Sequence, residues 1–283
     1  MWMLTSPAHF ITITSNKNTN MSTPTSIPST STTTTTTAPE LTPTLASTLL
    51  TTTPAPNSFG ALPTGSSNID AALHGGLPYG AVTCLTSESC STRTLVAVHA
   101  FRRHLSRRGG GSRAWWVDTG GQFPAATFVA VGCGGGGGKV VRAFDLEGVQ
   151  DVVAEVAAEE EEEEGTLLVV VDTVTLPFRR DVARCFLAAH ARVVELARAL
   201  RRLAARGAAV LLLAEPCARL PTFPYLADVH VSLCQEGEGE GEEEGNWVLE
   251  VLSDRVGGRD GAWARFCVRG EEILDLDIDD GQD

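Results

Sequence analysis

Short apolar runs alternate along this chain with longer stretches whose apolar residues recur every three or four positions. That is the signature of strands alternating with helices. Ala81–Leu85 is the first run, and a helical pattern follows from about Thr94 to Ser106. Arg113–Val117 and Lys139–Ala143 predict two more strands, followed respectively by helices near Ala125–Val131 and from about Leu146 to Ala158. Thr166–Val171 and Ala208–Leu213 read as strands buried on both faces. Between them Val182, Phe186, Ala189, Val193, Leu196, Leu200 and Leu203 step by three and four, which predicts one long helix, roughly Arg180–Arg206, ended by Gly207. Asp228–Leu233 and Trp247–Leu252 alternate as a hairpin does, with a Gly/Glu repeat as its loop, and Ala264–Val268 closes the sheet. The fold class is therefore α/β: a mostly parallel sheet flanked by helices, with a C-terminal antiparallel hairpin.

Composition divides the chain. Residues 1–56 are dominated by Ser, Thr and Pro and include the run Thr33–Thr37, so they cannot bury enough apolar surface to offset the entropy of ordering. A disordered tail over 1–56 and one folded core over 57–283 are expected. The net charge of −13 argues against nucleic acid only until it is located. Glu159–Glu164 and the six glutamates between Glu236 and Glu244 carry most of it, and the rest of the chain is within one charge of neutral. Both runs read as solvated acidic linkers, near 159–164 and 236–244. The seven cysteines lack C-x-x-C spacing, which indicates buried free thiols rather than zinc ligands or disulfides. No apolar run reaches the roughly 18 residues of a membrane span.

The candidate chemistry lies between the first strand and its helix, where a nucleotide-binding protein carries its phosphate loop. In G-x-x-x-x-G-K-[ST], backbone N–H groups cradle phosphates, glycines allow close approach, Lys neutralises charge and the hydroxyl holds Mg²⁺. Here the glycine positions are Ser87 and Thr92, the lysine position is Arg93, and the hydroxyl survives as Thr94. Leu167–Asp172 ends in a carboxylate that could share the metal with Thr94. The run Gly134–Lys139 looks more like a phosphate loop, but Val140 follows the lysine and no apolar strand feeds it, so it reads as a linker.

These segments, in this order, resemble the RecA-type recombinases, in the eukaryotic and archaeal strand-exchange branch and its paralogues. Leu62–Gly80 is similar to that family's T-G-x-x-x-L-D-x-x-L-G-G-G-[IL]-x-x-G, and Trp116–Phe123 to its Y-I-D-T-E-G-x-F. Val140–Phe144 resembles the strand ending in R-A-F, and Leu167–Thr175 resembles L-[IL]-[IV]-V-D-S-[IVA]-T. The last strands, Val251–Ser253 and Arg265–Asp275, match the family's ending loosely, so the likeness covers about 62–275.

The resemblance implies a RecA-like P-loop NTPase core, with ATP and Mg²⁺ as the cofactors such a site would hold. The residues left for them are Ser87, Thr92, Arg93, Thr94 and Asp172, with Thr94 and Asp172 on the metal, and the strands ending at Leu85 and Val171 are expected close together. It also implies a glutamate that orients the attacking water, but Asp118-Thr119 is followed by Gly120-Gly121. The family's [TS]-N-Q sensor is here Ala214-Glu215-Pro216. Four altered parts argue against hydrolysis, because phosphoryl transfer depends almost wholly on positioning and charge stabilisation. The reading is a degenerate ATPase: an accessory recombinase paralogue in homologous recombination and DNA repair, nuclear, pairing with recombinase-family subunits. The alternative is a DNA-dependent ATPase with a variant phosphate loop, in which Glu88 or another carboxylate orients water. Single-stranded DNA is a further partner, through Arg219, Phe223 and Tyr225, since an arginine and two aromatics can stack on bases.

Overall fold

The computed structural model describes residues 59–107, 111–121, 123–130, 137–162, 165–216, 223, 226–236 and 245–276. The 1–56 tail, Arg219, Tyr225, Gly134–Gly136 of the glycine run, the last two residues of the first acidic run (163–164) and all but the first of the second (237–244) lie outside the described residues.

The chain enters through a short pair, β1 (Ala61–Leu62) and β2 (Leu77–Pro78), with α1 (Ser67–Ala72) between them. Ser66 caps α1, its side chain accepting from the Ile69 N–H. Gly76, at φ +115°, passes so close to the Leu62 carbonyl that a Cβ would lie 2.1 Å from its oxygen, so glycine is required there. The main sheet then builds from β3 (Val82–Ser87), β4 (Arg113–Asp118), β5 (Gly138–Arg142), β6 (Leu167–Asp172) and β7 (Ala209–Ala214). The last four strands are β8 (Val229–Gln235), β9 (Gly245–Asp254), β10 (Trp263–Arg269) and β11 (Glu272–Asp275). The sheet order is β11-β10-β9-β8-β3-β7-β6-β4-β5. From β8 to β5 all neighbours are parallel, and β8 through β11 are antiparallel.

Five helices complete the described elements: α2 (Cys90–Leu105), α3 (Ala125–Ala130), α4 (Leu146–Glu162), α5 (Thr175–Arg184) and α6 (Phe186–Ala205). Period-two alternation sends Leu85, Trp116, Val170 and Leu211 to one face of the sheet, where they pack with α1 and α2. Cys84, Val117, Val169 and Val210 face the other side, against α4, α5 and α6. On the first side Trp116 meets Phe101, Phe123 and Phe128 in edge-on contacts, centroids 5.4 to 6.0 Å away. Behind it Tyr79 Oη and His104 Nδ1 are 2.7 Å apart, and His104 Nε2 lies 2.9 Å from the Arg113 carbonyl.

Five expectations are corrected. The long helix is two, because Cys185 adopts an extended backbone (φ −157°, ψ 107°). Arg192 of α6 reaches back to the buried Asp181 carboxylate at 3.0 Å and fastens the bend without any glycine or proline to announce it. Helix α4 runs to Glu162, four residues into the acidic run, and Arg206 approaches Glu160 at 3.8 Å. One more strand, β11, extends the sheet beyond β10 through a turn at Gly270 (φ +57°). Of the five described cysteines, all free, Cys84 and Cys267 are buried while Cys90, Cys185 and Cys234 are exposed. Gly138–Lys139 opens β5, with Lys139 Nζ 2.7 Å from Glu159 and over the Trp115 ring, so this part of the glycine run is strand. No helix among the described residues is long and apolar enough to cross a membrane.

Candidate functional site

A parallel sheet gathers its chemistry at the carboxyl ends of its strands. The registers Thr86↔Ala214, Val171↔Leu212 and Asp118↔Asp172 place Ser87, Ala214, Asp172 and Asp118 along one rim. The strands of Leu85 and Val171 are not neighbours, because β7 lies between them. What joins their ends is the side chain of Arg93.

Helix α2 begins at Cys90, four residues earlier than the apolar period predicts. With no glycine between Ser87 and Arg93, nothing favours an open cradle. Ser89 instead takes the cap position and its side chain accepts from the Thr92 N–H at 3.3 Å. An amide that would face a phosphate is thereby spent inside the helix. Arg93 is fully buried. Its Nη1 donates to the Ser87 and Ala214 carbonyls at 2.9 and 3.0 Å, and its Nη2 to Thr173 Oγ1 at 3.4 Å and Cys90 Sγ at 3.7 Å.

Thr173 hands this contact on. Its hydroxyl donates to Asp172 Oδ1 at 2.9 Å, and its backbone sits at φ +51°, unusual for a β-branched residue. Burial pushes the Asp172 carboxyl above its ordinary range, although the Thr173 hydrogen bond and the Arg93 charge pull the other way. Thr119 Oγ1 lies 2.6 and 3.0 Å from the Asp172 and Thr173 carbonyls and fixes this turn. Asp118 is engaged too, accepting from the Gly121 N–H at 2.7 Å and pairing with Arg142 at 3.3 Å.

Thr94 opens instead into a cleft of about 470 Å³ that it lines with Ser91, Thr92, Thr127, Gly270 and Glu271. Exposed Glu88 borders another cleft, of about 500 Å³, with Ser87, Ser89, Pro216, Cys234 and Trp247. Glu215, at the sensor position, forms an ion pair with Arg179 at 2.7 Å. ATP with Mg²⁺ does not fit the residues as arranged: the cation is turned inward, the loop is wound into helix, and Asp172 is a buried carboxylate engaged by Thr173. No cluster of three or more potential metal ligands occurs among the described residues.

Phe223 corrects the expectation of base stacking. It is buried against Phe178, ring centroids 5.3 Å apart at 86°, and has no face to offer a base. Of the basic side chains on α5 and α6, Arg192 pairs with Asp181, Arg201 lies near Asp228, and Arg180 donates to the Phe144 carbonyl. Sequence reasoning missed Thr173 and Thr119 as the residues that shape the rim. The hydroxyl directly after Asp172 was the available signal for the first.

Comparison with known proteins agrees with the topology. The family model described as Rad51 matches residues 58–215, from the residues before β1 to the residue after β7. No curated protein matches the chain.

Proposed function

The chain belongs to the Rad51 family, whose domain carries a role in homologous recombination and DNA repair, and from that premise we propose that it is a divergent paralogue, an accessory subunit that does not hydrolyse ATP. The observation that carries this reading is the turn after β4. The resemblance puts a water-orienting glutamate at position 120, where the chain has Gly120. A Cβ there would meet only Leu176 Cδ1 at 3.5 Å, so a side chain fits and what is missing is chemical. Asp118 does not replace it, since its oxygens are engaged by Gly121 and Arg142.

The subunit consists of a folded core over 57–283 behind the 1–56 tail, works in the nucleus and assembles with recombinase-family subunits. Arg219 and Tyr225 are its remaining candidates for single-stranded DNA. Purification from cells is expected to recover a recombinase-family partner. ATP turnover by the purified full chain should not exceed buffer, with or without single-stranded DNA, and Asp172→Ala should change nothing. Turnover that Asp172→Ala abolishes would favour a working DNA-dependent ATPase instead. A chain recovered alone would count against the accessory role.

A further inference from the structure

Arg93 stands where the family carries its phosphate-binding lysine, yet its guanidinium faces the protein. Four of its five N–H groups have partners, and only Nε–H has none among the described residues. Two of those four partners, the carbonyls of Ser87 and Ala214, end the neighbouring strands β3 and β7, and another, the Thr173 hydroxyl, follows β6. One side chain therefore ties together the ends of three consecutive strands, those that a bound nucleotide would otherwise meet. We propose that Arg93 is an internal plug: it fills the family's phosphate position from within and holds the strand ends in one arrangement without a nucleotide. The proposal rests on the reading that the chain does not turn over ATP.

The chemistry favours arginine for this task. A planar guanidinium directs separate donors toward separate acceptors, whereas an ammonium is a compact point charge that prefers water. The two carbonyls and the hydroxyl lie on three strand ends, and only the forked group spans them. The second-order contact with Asp172, through Thr173, supplies a counter-charge without direct pairing. In this arrangement the subunit presents a single state to its partners, with no nucleotide cycle to alter it.

The test is thermal unfolding of the full-length wild type, Arg93→Ala and Arg93→Lys. Each is measured in millimolar guanidinium chloride, far below denaturing levels, in sodium chloride at the same concentration, and with ATP and Mg²⁺. Arg93→Ala should melt several degrees below wild type, guanidinium but not sodium should restore part of the loss, and Arg93→Lys should not rescue. Wild-type melting should be unmoved by ATP and Mg²⁺. Should Arg93→Ala fail to fold, hydrogen exchange of the wild-type Val174 amide, which bonds the Leu213 carbonyl, gives the second readout. It should be equally protected with and without ATP and Mg²⁺. Stabilisation of wild type by ATP, retained in Arg93→Lys, would overturn the plug, as would an Arg93→Ala protein as stable as wild type or insensitive to guanidinium. Those last two results leave the non-hydrolytic reading standing, whereas ATP turnover by wild type, read in a separate assay, removes that reading itself.

Discussion

Arg93 and Arg259 are both almost wholly removed from water, at 0% and 4% exposure, yet they are held in different ways. Arg259, in the turn between β9 and β10, directs its Nε onto the Asp254 carboxylate and its Nη1 onto the Leu73 carbonyl at the end of α1. Asp254 also accepts from the Val256 and Gly257 amides, each at 2.8 Å. Gly257 is needed there, because a Cβ would lie 2.8 Å from Arg259 Nε. The Asp254 carboxylate is thus a local clasp, five residues from its arginine. Arg93 has no carboxylate in contact; its acceptors are neutral, and two of them lie 80 and 121 residues away along the chain. A buried charge can be matched by an opposite charge close in sequence, or spread over dipoles that only the finished sheet brings together. The first kind of arginine organises a turn, and the second depends on the whole fold.

The largest expected effect comes from breaking the clasp. Asp254→Ala strands the Arg259 guanidinium in a buried site and should cost about 3–5 kcal/mol, read as a fall in the urea midpoint. If Asp254→Ala matched wild type, the two arginines would not differ in the way described.

An intermediate effect should appear in acid. Burial alone would raise the Asp254 pKa, but hydrogen bonds from Arg259 and the Gly257 and Val256 amides hold it below the ordinary 3.8. A depressed carboxyl contributes stability that is full above 3.8 and lost as pH falls through the folded value. Asp172 is raised by burial, so the folded state takes up its proton first and its contribution grows as pH falls toward 3.8. In melting curves against pH, Asp254→Asn should flatten the loss below 3.8 and Asp172→Asn should remove the gain above it. His99, His104 and His230, each kept neutral by burial, add a loss below 6.5 shared by all these variants. Opposite assignments of the two limbs would contradict the comparison.

The smallest effect is that of Asp172→Asn at neutral pH. Neutralising a carboxylate that the fold would rather protonate should raise the urea midpoint slightly. A large loss instead would mean that Asp172 bears directly on Arg93 rather than through the Thr173 hydroxyl.

The strands of this fold were legible because burial on both faces leaves continuous apolar runs, as in Leu167–Val171 and Ala209–Leu213. The order of β3, β4 and β6 followed from the same pattern, whereas Ser87, Arg93 and Asp172 were singled out by comparison with a phosphate-loop motif and the strand that partners it. What the pattern hid were features fixed by single long-range contacts. The bend at Cys185 depends on Arg192 reaching Asp181, and no local residue type marks it. The early start of α2 depends on Ser89 acting as a cap where a phosphate loop would carry small flexible residues. The inward turn of Arg93 was invisible because its acceptors are backbone carbonyls, which every residue possesses. Phe223 misled for the converse reason: an aromatic beside prolines looks the same whether it faces solvent or closes the core beside Phe178.

Asp275, in the outermost strand, lies against the first helix of the core. Its carboxylate accepts from the Ser67 and Asn68 amides at 2.9 and 3.2 Å and from the Ser66 hydroxyl, while the Asn68 side chain donates to the Arg265 and Leu276 carbonyls. The beginning and the finish of the described core are therefore latched to each other by one acid. Joining them through a short flexible bridge and reopening the polypeptide elsewhere should leave the architecture intact, whereas a premature stop upstream of β11 would unlatch α1 as well as shorten the sheet.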